Sequence, residues 1–274
     1  MFARAMTREA VRSREVVPES TITRRILGMR VDATTYDRAT ERVLQWAAEG
    51  SSRYVCIANV HMVMEAYDDD ELQQLVNRAD LVTSDGMPLV WGLKAMGVPE
   101  AERVCGPLLT PAVMERAARD GVPIGLYGGA NERALRRLID ALYARFPTLK
   151  IAFAAVPPYR PLTPEEDAAL VGKIVESGAR ILFVGLGCPK QEFWMAEHRG
   201  RVPCVMLGVG AAFSFLSGDK PIAPAWMQRN GLEWLFRLLT EPGRLWRRYV
   251  RQNPRFLVLF LFQLLGWRRY PSVG

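Results

Sequence analysis

Six short apolar runs punctuate the chain, at 54–59 (YVCIAN), 80–83 (DLVT), 124–127 (IGLY), 150–155 (KIAFAA), 180–186 (RILFVGL) and 203–209 (PCVMLGV). Stretches with a helical period flank and separate them, near 36–49, 61–78, 87–97, 110–120, 131–145, 164–177 and 190–199. A strand that is apolar on both faces must be covered on both. Strands joined through helices run parallel, because only a crossover of that length returns the chain to the same end of the sheet. The pattern therefore predicts an α/β, Rossmann-like fold, a mostly parallel sheet with helices on both faces. With 274 residues the chain can bury one large core and still carry an appendage.

Ligands of such sheets bind beyond the carboxyl ends of the strands. The residues that stand there are Asn59 and His61, then Ser84, Asp85 and Gly86, then Gly128, Gly129, Ala130 and Asn131. Pro157, Pro158 and Tyr159 follow the fourth run, Gly187 through Gln191 the fifth, and Gly210 the sixth. The stretch "ILFVGLGCPKQEFW" at 181–194 shows what is at stake. A buried run ends in glycines and turns abruptly polar at Pro189, Lys190, Gln191 and Glu192. Such a turn aims backbone N–H groups at a phosphate, or it is no more than the solvated first turn of a helix. GxGxxG with a suitably spaced acid is absent from every strand end, as is GxxxxGK[ST]. A dinucleotide enzyme and a P-loop NTPase are both disfavoured.

The polar clusters are sparse. There are two histidines, His61 and His198, too few for a His-rich metal site. The four cysteines, Cys56, Cys105, Cys188 and Cys204, have no paired spacing and read as small apolar residues in a reducing compartment. "YDDDEL" at 67–72 invites a reading as a divalent-cation site, but it stands where a helical run begins, and Asp there caps free N–H groups. No metal ligand is assigned and no cofactor is expected. Asp85 differs, because it follows a strand directly at the ligand edge. It is either a carboxylate near apolar walls with a raised pKa, fit for a general base, or the cap of the next helix.

The charge is concentrated at one end. Residues 229–274 hold nine arginines, no lysine and two acids, Glu233 and Glu241, which accounts for the whole formal charge of +7. The organisation this suggests is a frayed terminus at 1–20 with no secretory signal, a catalytic domain at 21–222, and a basic, aromatic-rich helical appendage at 223–274. The appendage reads as three short helices broken at Pro242 and Pro254. Its last apolar run, "FLVLFLFQLLGW", is too short to span a bilayer and reads as a core helix or an interfacial one. Arginines beside Trp and Tyr suit an anionic membrane surface better than a nucleic acid. The bland alternative is a helical pair packed on the domain with its charges solvated, and an apolar tail could equally make a homo-oligomer contact.

The stretches "IANVHMV", "ADLVTSDGMPLVW", "RVCGP", "LYGGANE", "PPYRPLT", "ILFVGLGCPKQEFW", "GVGAAFSFLSG" and "APAWMQRNGLEWLFRLLTEPGRLWRRY" together resemble the WecG/TagA/CpsF family of glycosyltransferases (glycosyltransferase family 26), over about residues 25–255. The resemblance implies metal-independent, inverting transfer of a sugar, typically from a UDP-linked donor, to a sugar on a polyprenyl-diphosphate carrier. It places the protein at the cytoplasmic face of a bacterial plasma membrane, in polysaccharide or wall-polymer synthesis. By resemblance Asp85 is the general base, Gln191 sits at the donor and acceptor site, and Arg237 is catalytic. Asn59, Gly86, Gly129, Gly187 and Lys190 fall at the substrate edge, and Arg237, Arg244 and Arg247 match basic positions of an appendage that folds over the site. Three positions depart from the pattern. Ile57 stands where Thr is usual, and Leu108 and Ser214 where Asp is common. They keep open a second reading, a non-catalytic nucleotide-sugar-binding scaffold of a polysaccharide assembly complex.

Overall fold

An antiparallel hairpin, β1 (Thr23–Ile26) and β2 (Met29–Asp32), opens the described chain. It goes unannounced by the apolar runs. Leu27 and Gly28, at φ 50° and 89°, form its two-residue turn, and both positive φ values match the right-handed twist of the strands. Asp32 is fully buried at the end of the hairpin. It accepts from Thr23 Oγ1 at 2.6 Å, Arg30 Nε at 2.9 Å and the backbone N–H of Val82 at 2.9 Å. The last bond satisfies an edge strand of the main sheet, which would otherwise present an open donor.

The computed structural model describes residues 21–270, apart from the side chains of Ala225, Arg229, Arg244 and Arg248. The expectation for residues 1–20 lies outside the described residues. The main sheet has six strands: β3 (Arg53–Ala58), β4 (Leu81–Ser84), β5 (Ile124–Gly128), β6 (Ile151–Ala155), β7 (Ile181–Gly185) and β8 (Val205–Gly208). Their order is β4-β3-β8-β7-β5-β6, and every pairing is parallel. The helices are α1 (Tyr36–Glu49), α2 (Val60–Asp68), α3 (Asp70–Asn77), α4 (Met87–Ala95), α5 (Gly106–Asp120), α6 (Glu132–Arg145), α7 (Pro164–Ser177), α8 (Lys190–His198), α9 (Ala212–Leu216), α10 (Ala225–Arg229), α11 (Glu233–Thr240) and α12 (Pro242–Leu264).

Alternation along each strand divides the interior in two. Tyr54, Cys56 and Ala58 of β3 enter one core with Leu182 and Val184 of β7, under α2, α3, α4, α8 and α12. Val55 and Ile57 enter the other with Ile181 and Phe183, under α1, α5, α6 and α9. The α/β, Rossmann-like arrangement with helices on both faces is thus present. Where β5 meets β7 the backbones touch. Gly128 lies at φ 142°, and a Cβ there would stand 2.7 Å from the Gly185 carbonyl oxygen, so only glycine fits.

Two helical expectations are corrected. The run 61–78 is two helices, because Asp69 is extended (φ −134°) and its carboxylate accepts from Glu71 and Leu72 N–H, capping α3. The C-terminal segment is not broken at Pro254. Pro242 opens α12 and the helix runs through Pro254 to Leu264, anchored on both sides of that residue. Leu245, Phe256 and Phe260 are buried, the two rings stacked at 5.6 Å. Gln263 bonds the hairpin turn twice, donating to the Arg25 carbonyl at 2.6 Å and accepting from Leu27 N–H at 2.8 Å. Arg255 grips Asp68 through two bonds of 2.5 Å. The opposite face of α12 exposes Leu257, Val258, Leu261 and Leu264. One helix is therefore both a core element and an apolar surface. Among the described residues no helix is long and apolar enough to cross a membrane.

Candidate active site

A cleft lies at the carboxyl ends of β3 and β4, with residues of α10, α11 and α12 on its far wall. Neighbouring parallel strands end together, so Asn59 after β3 and Asp85 after β4 arrive side by side, and Asp85 N–H donates to the Ala58 carbonyl at 2.7 Å. Asn59 is the N-cap of α2, its side chain accepting from Met62 N–H at 3.2 Å. Gly86, not Asp85, is the N-cap of α4, and no side chain caps that helix. The positive end of α4 thus borders the cleft. Asp85 is left for another purpose.

The Asp85 side chain is 20% exposed and is held by Arg103. Arg103 Nη2 donates to Asp85 Oδ1 at 3.1 Å, and Arg103 Nε donates to the Asp85 main-chain carbonyl. The same Nη2 donates to Glu233 Oε2 on α11 at 2.6 Å. Burial pushes the Asp85 pKa above the ordinary carboxylate range; Arg103 and Arg237 pull it down and Glu233 pushes it up, and the upward causes win. For Arg103, burial works against the charge, but Asp85, Cys105 and Glu233 outweigh it and raise its pKa. The pair is a polarised carboxylate beside a fixed cation.

Arg237 lies one helical turn beyond Glu233 on the same face of α11. Its guanidinium stands 5.8 Å over the Phe215 ring, and its buried Nε has no hydrogen-bond partner among the described residues. A buried guanidinium donor without an acceptor is costly unless a ligand supplies one. Arg237, Glu233 and Gln228 line both the cleft and a smaller apolar hollow formed with Leu108, Phe215 and Ile222. On the α12 side, Trp234 and Tyr249 meet edge to face at 6.3 Å. His61 Nδ1 sits 2.9 Å from Gln252 Oε1, and Gln252 donates to Glu65 at 2.8 Å.

The cleft thus joins Asn59, Asp85, Gly86 and Arg237 from the expected set. It is not lined by Gln191, Gly129, Gly187, Lys190 or Arg247. Gln191 is 3% exposed, and its Oε1 accepts from Gly187 N–H at 3.1 Å and Gly210 N–H at 3.0 Å. It ties the mouths of β7 and β8 together from below. Gly129 follows β5, Lys190 is exposed on the first turn of α8, and the Arg247 guanidinium lies 5.5 Å over the Trp246 ring. The side chain of Arg244 lies outside the described residues. Of the three departures, Ile57 points into the core beneath α5, whereas Leu108 edges the smaller hollow.

Arg103, Glu233, Trp234 and Tyr249 escaped the sequence reading. One signal existed for Glu233. The basic tail has only two acids, and both pair outside it, Glu233 with Arg103 and Glu241 with Lys220 at 2.6 Å. Among the described residues no group of three or more His, Cys, Asp or Glu side chains could hold a metal ion. In "YDDDEL" Asp69 caps α3 and Asp68 pairs with Arg255. In comparison with known proteins, the family model described as "Glycosyl transferase WecG/TagA/CpsF family" matches residues 24–270.

Proposed function

The chain belongs to the WecG/TagA/CpsF family of glycosyl transferases, enzymes of polysaccharide and cell-wall polymer synthesis, and from that premise we propose that it inverts a sugar from a UDP-linked donor onto a polyprenyl-diphosphate-linked sugar without a metal. The observation that carries this reading is that Asp85 and Arg237 line one cleft, close enough for the guanidinium to act on the carboxylate. Asp85, with its raised pKa, takes the proton from the acceptor hydroxyl as that oxygen attacks the anomeric carbon. The bond from that carbon to the diphosphate breaks on the opposite face. Arg237, which lines the cleft, gives the departing diphosphate a positive charge and guanidinium donors in a site partly shielded from water. Asn59, Gly86 and the start of α4 edge the same space and bind substrate. Gln191, Gly129, Gly187 and Lys190 shape or border the neighbouring strand mouths, where the nucleotide portion would extend, with Arg244 and Arg247 assisting from α12.

The exposed apolar face of α12, flanked by Trp246, Trp267, Arg251 and Arg268, supports peripheral attachment to the anionic inner face of a bacterial plasma membrane, where such an acceptor resides. The test is UDP release from a panel of UDP-sugars with a polyprenyl-diphosphate-sugar in liposomes, comparing wild type with Asp85→Asn. Acceptor-dependent release with one donor, lost in the variant, supports the reading. UDP binding without turnover of any donor moves the scaffold reading ahead of it.

A further inference from the structure

One guanidinium serves two carboxylates that come from opposite walls of the cleft. Arg103 precedes α5 and belongs to the sheet domain; Glu233 opens α11. Arg103 Nη2 is 2.6 Å from Glu233 Oε2 and 3.1 Å from Asp85 Oδ1, so the division favours Glu233. The ion pair of Glu233 is made with Arg103, although Arg237 stands at i+4 on the same helix face. We propose that Glu233 is a positioning residue that acts on Asp85 through Arg103, drawing the guanidinium off the Asp85 carboxylate when α11 is seated. Asp85 is thereby kept more basic, and Arg237 is left unspent for an anionic substrate. The inference deepens the reading of Asp85 as the base and rests on it.

The surroundings of Asp85 permit few other tuning groups. Arg103 and Cys105 face it from the segment before α5, Glu233 and Arg237 from α11, His61 borders the same cleft from α2, and Tyr249 from α12. Cys105 is buried, and burial together with Asp85 raises its pKa to about 11, so its thiol stays neutral where the enzyme works. Arg237, itself a guanidinium, offers Arg103 no acceptor. Among the described residues, the one local charge whose removal releases Arg103 toward Asp85 is therefore Glu233.

The test is the pH dependence of kcat, at saturating donor and acceptor, for wild type, Glu233→Gln, Glu233→Asp and Asp85→Asn. Glu233→Gln preserves shape and removes charge. Its acidic limb is expected to move down by about one pH unit, the size of shift a close charge produces, with a severalfold lower plateau from the weaker base. Glu233→Asp, with its shorter reach, falls between wild type and the Gln variant and serves if the latter folds poorly. A ¹³C-carboxyl NMR titration of Asp85, assigned by difference against Asp85→Asn, reads the same downward shift without turnover. An unmoved limb and an unmoved Asp85 titration in Glu233→Gln overturn the inference while leaving the base reading intact. Full activity in Asp85→Asn removes the base reading itself.

Discussion

The Gln191 side-chain amide donates to the Glu192 carboxylate at 2.8 Å, and neither side chain reaches solvent, at 3% and 0% exposure. Glu192 Oε2 has no hydrogen-bond partner among the described residues. Burial pushes the Glu192 pKa up to about 7, only partly offset by hydrogen bonds that include those from Gln191 and Cys188. A carboxyl with a folded pKa above its unfolded value ionises first in the unfolded chain. Its effect on stability is therefore absent below about pH 4.5, grows as a loss up to about pH 7, and then levels off. Glu192→Gln should remove a loss on the order of 3 kcal/mol at pH 8. Urea unfolding at pH 4.5 and pH 8 reads it out. An identical pH dependence in the two proteins would refute the assignment.

Removing the amide itself has a different signature. Gln191→Ala leaves the Gly187 and Gly210 N–H groups without their acceptor. A loss of up to about 2–6 kcal/mol is expected, from a cost of about 1–3 kcal/mol for each donor left unsatisfied, the lower end applying because both amides are only partly buried. Hydrogen exchange should speed up at those two amides before it does in the centre of β7. Uniform acceleration across the sheet would mean the clamp is not local.

The two faces of α12 should respond oppositely. Phe256→Ala is expected to cost about 3–5 kcal/mol, the range for truncating a buried aromatic. Leu257→Ala, at a position 62% exposed, should stay within about 0.5 kcal/mol. Similar losses at both positions would contradict the packing. It also follows that deleting residues 229–274 damages folding as well as catalysis, so point substitutions are the informative variants.

Binding to lipid separates from folding in the same way. Leu257→Glu combined with Leu261→Glu should reduce association with anionic vesicles at least tenfold and leave Tm within about 2 °C of wild type. Sedimentation with vesicles of varied anionic-lipid content checks this. Retained vesicle binding would end the case for this face.

Asp69→Ala should cost about 1 kcal/mol through the lost cap on α3, and it should leave both the transfer rate and its response to added divalent cations unaltered. A lost metal response would restore "YDDDEL" as a ligand set.

The parallel sheet was legible because both faces of its strands are apolar and its crossovers are long, two properties each strand carries alone. The hairpin at 23–32 was not. Its turn is Leu27-Gly28 rather than Asn-Gly, and its strands carry Arg24, Arg25 and Arg30, which pack through side-chain contacts that the periodicity does not register. Pro254 misled because a proline signals the loss of one backbone bond, while the burial of Phe256 and Phe260 that offsets it depends on residues far away in sequence. At the site, Asn59, Asp85 and Gly86 were visible because strand ends converge by rule. Arg103 and Glu233 acquire meaning only once α11 is brought to the sheet, and no local pattern records that approach.

Gly92 on α4 lies against the Phe260 ring, and a Cβ at that glycine would come within 3.0 Å of the ring's Cζ. Two positions in distant parts of the chain therefore share one allotment of volume. A side chain at 92 requires the ring at 260 and Ile26, 3.3 Å from the same point, to give by a few tenths of an ångström, so among related chains size at 92 and at 260 should vary as a couple. A tail exchanged from a relative will seat best when the partner of its aromatic residue is inherited with it.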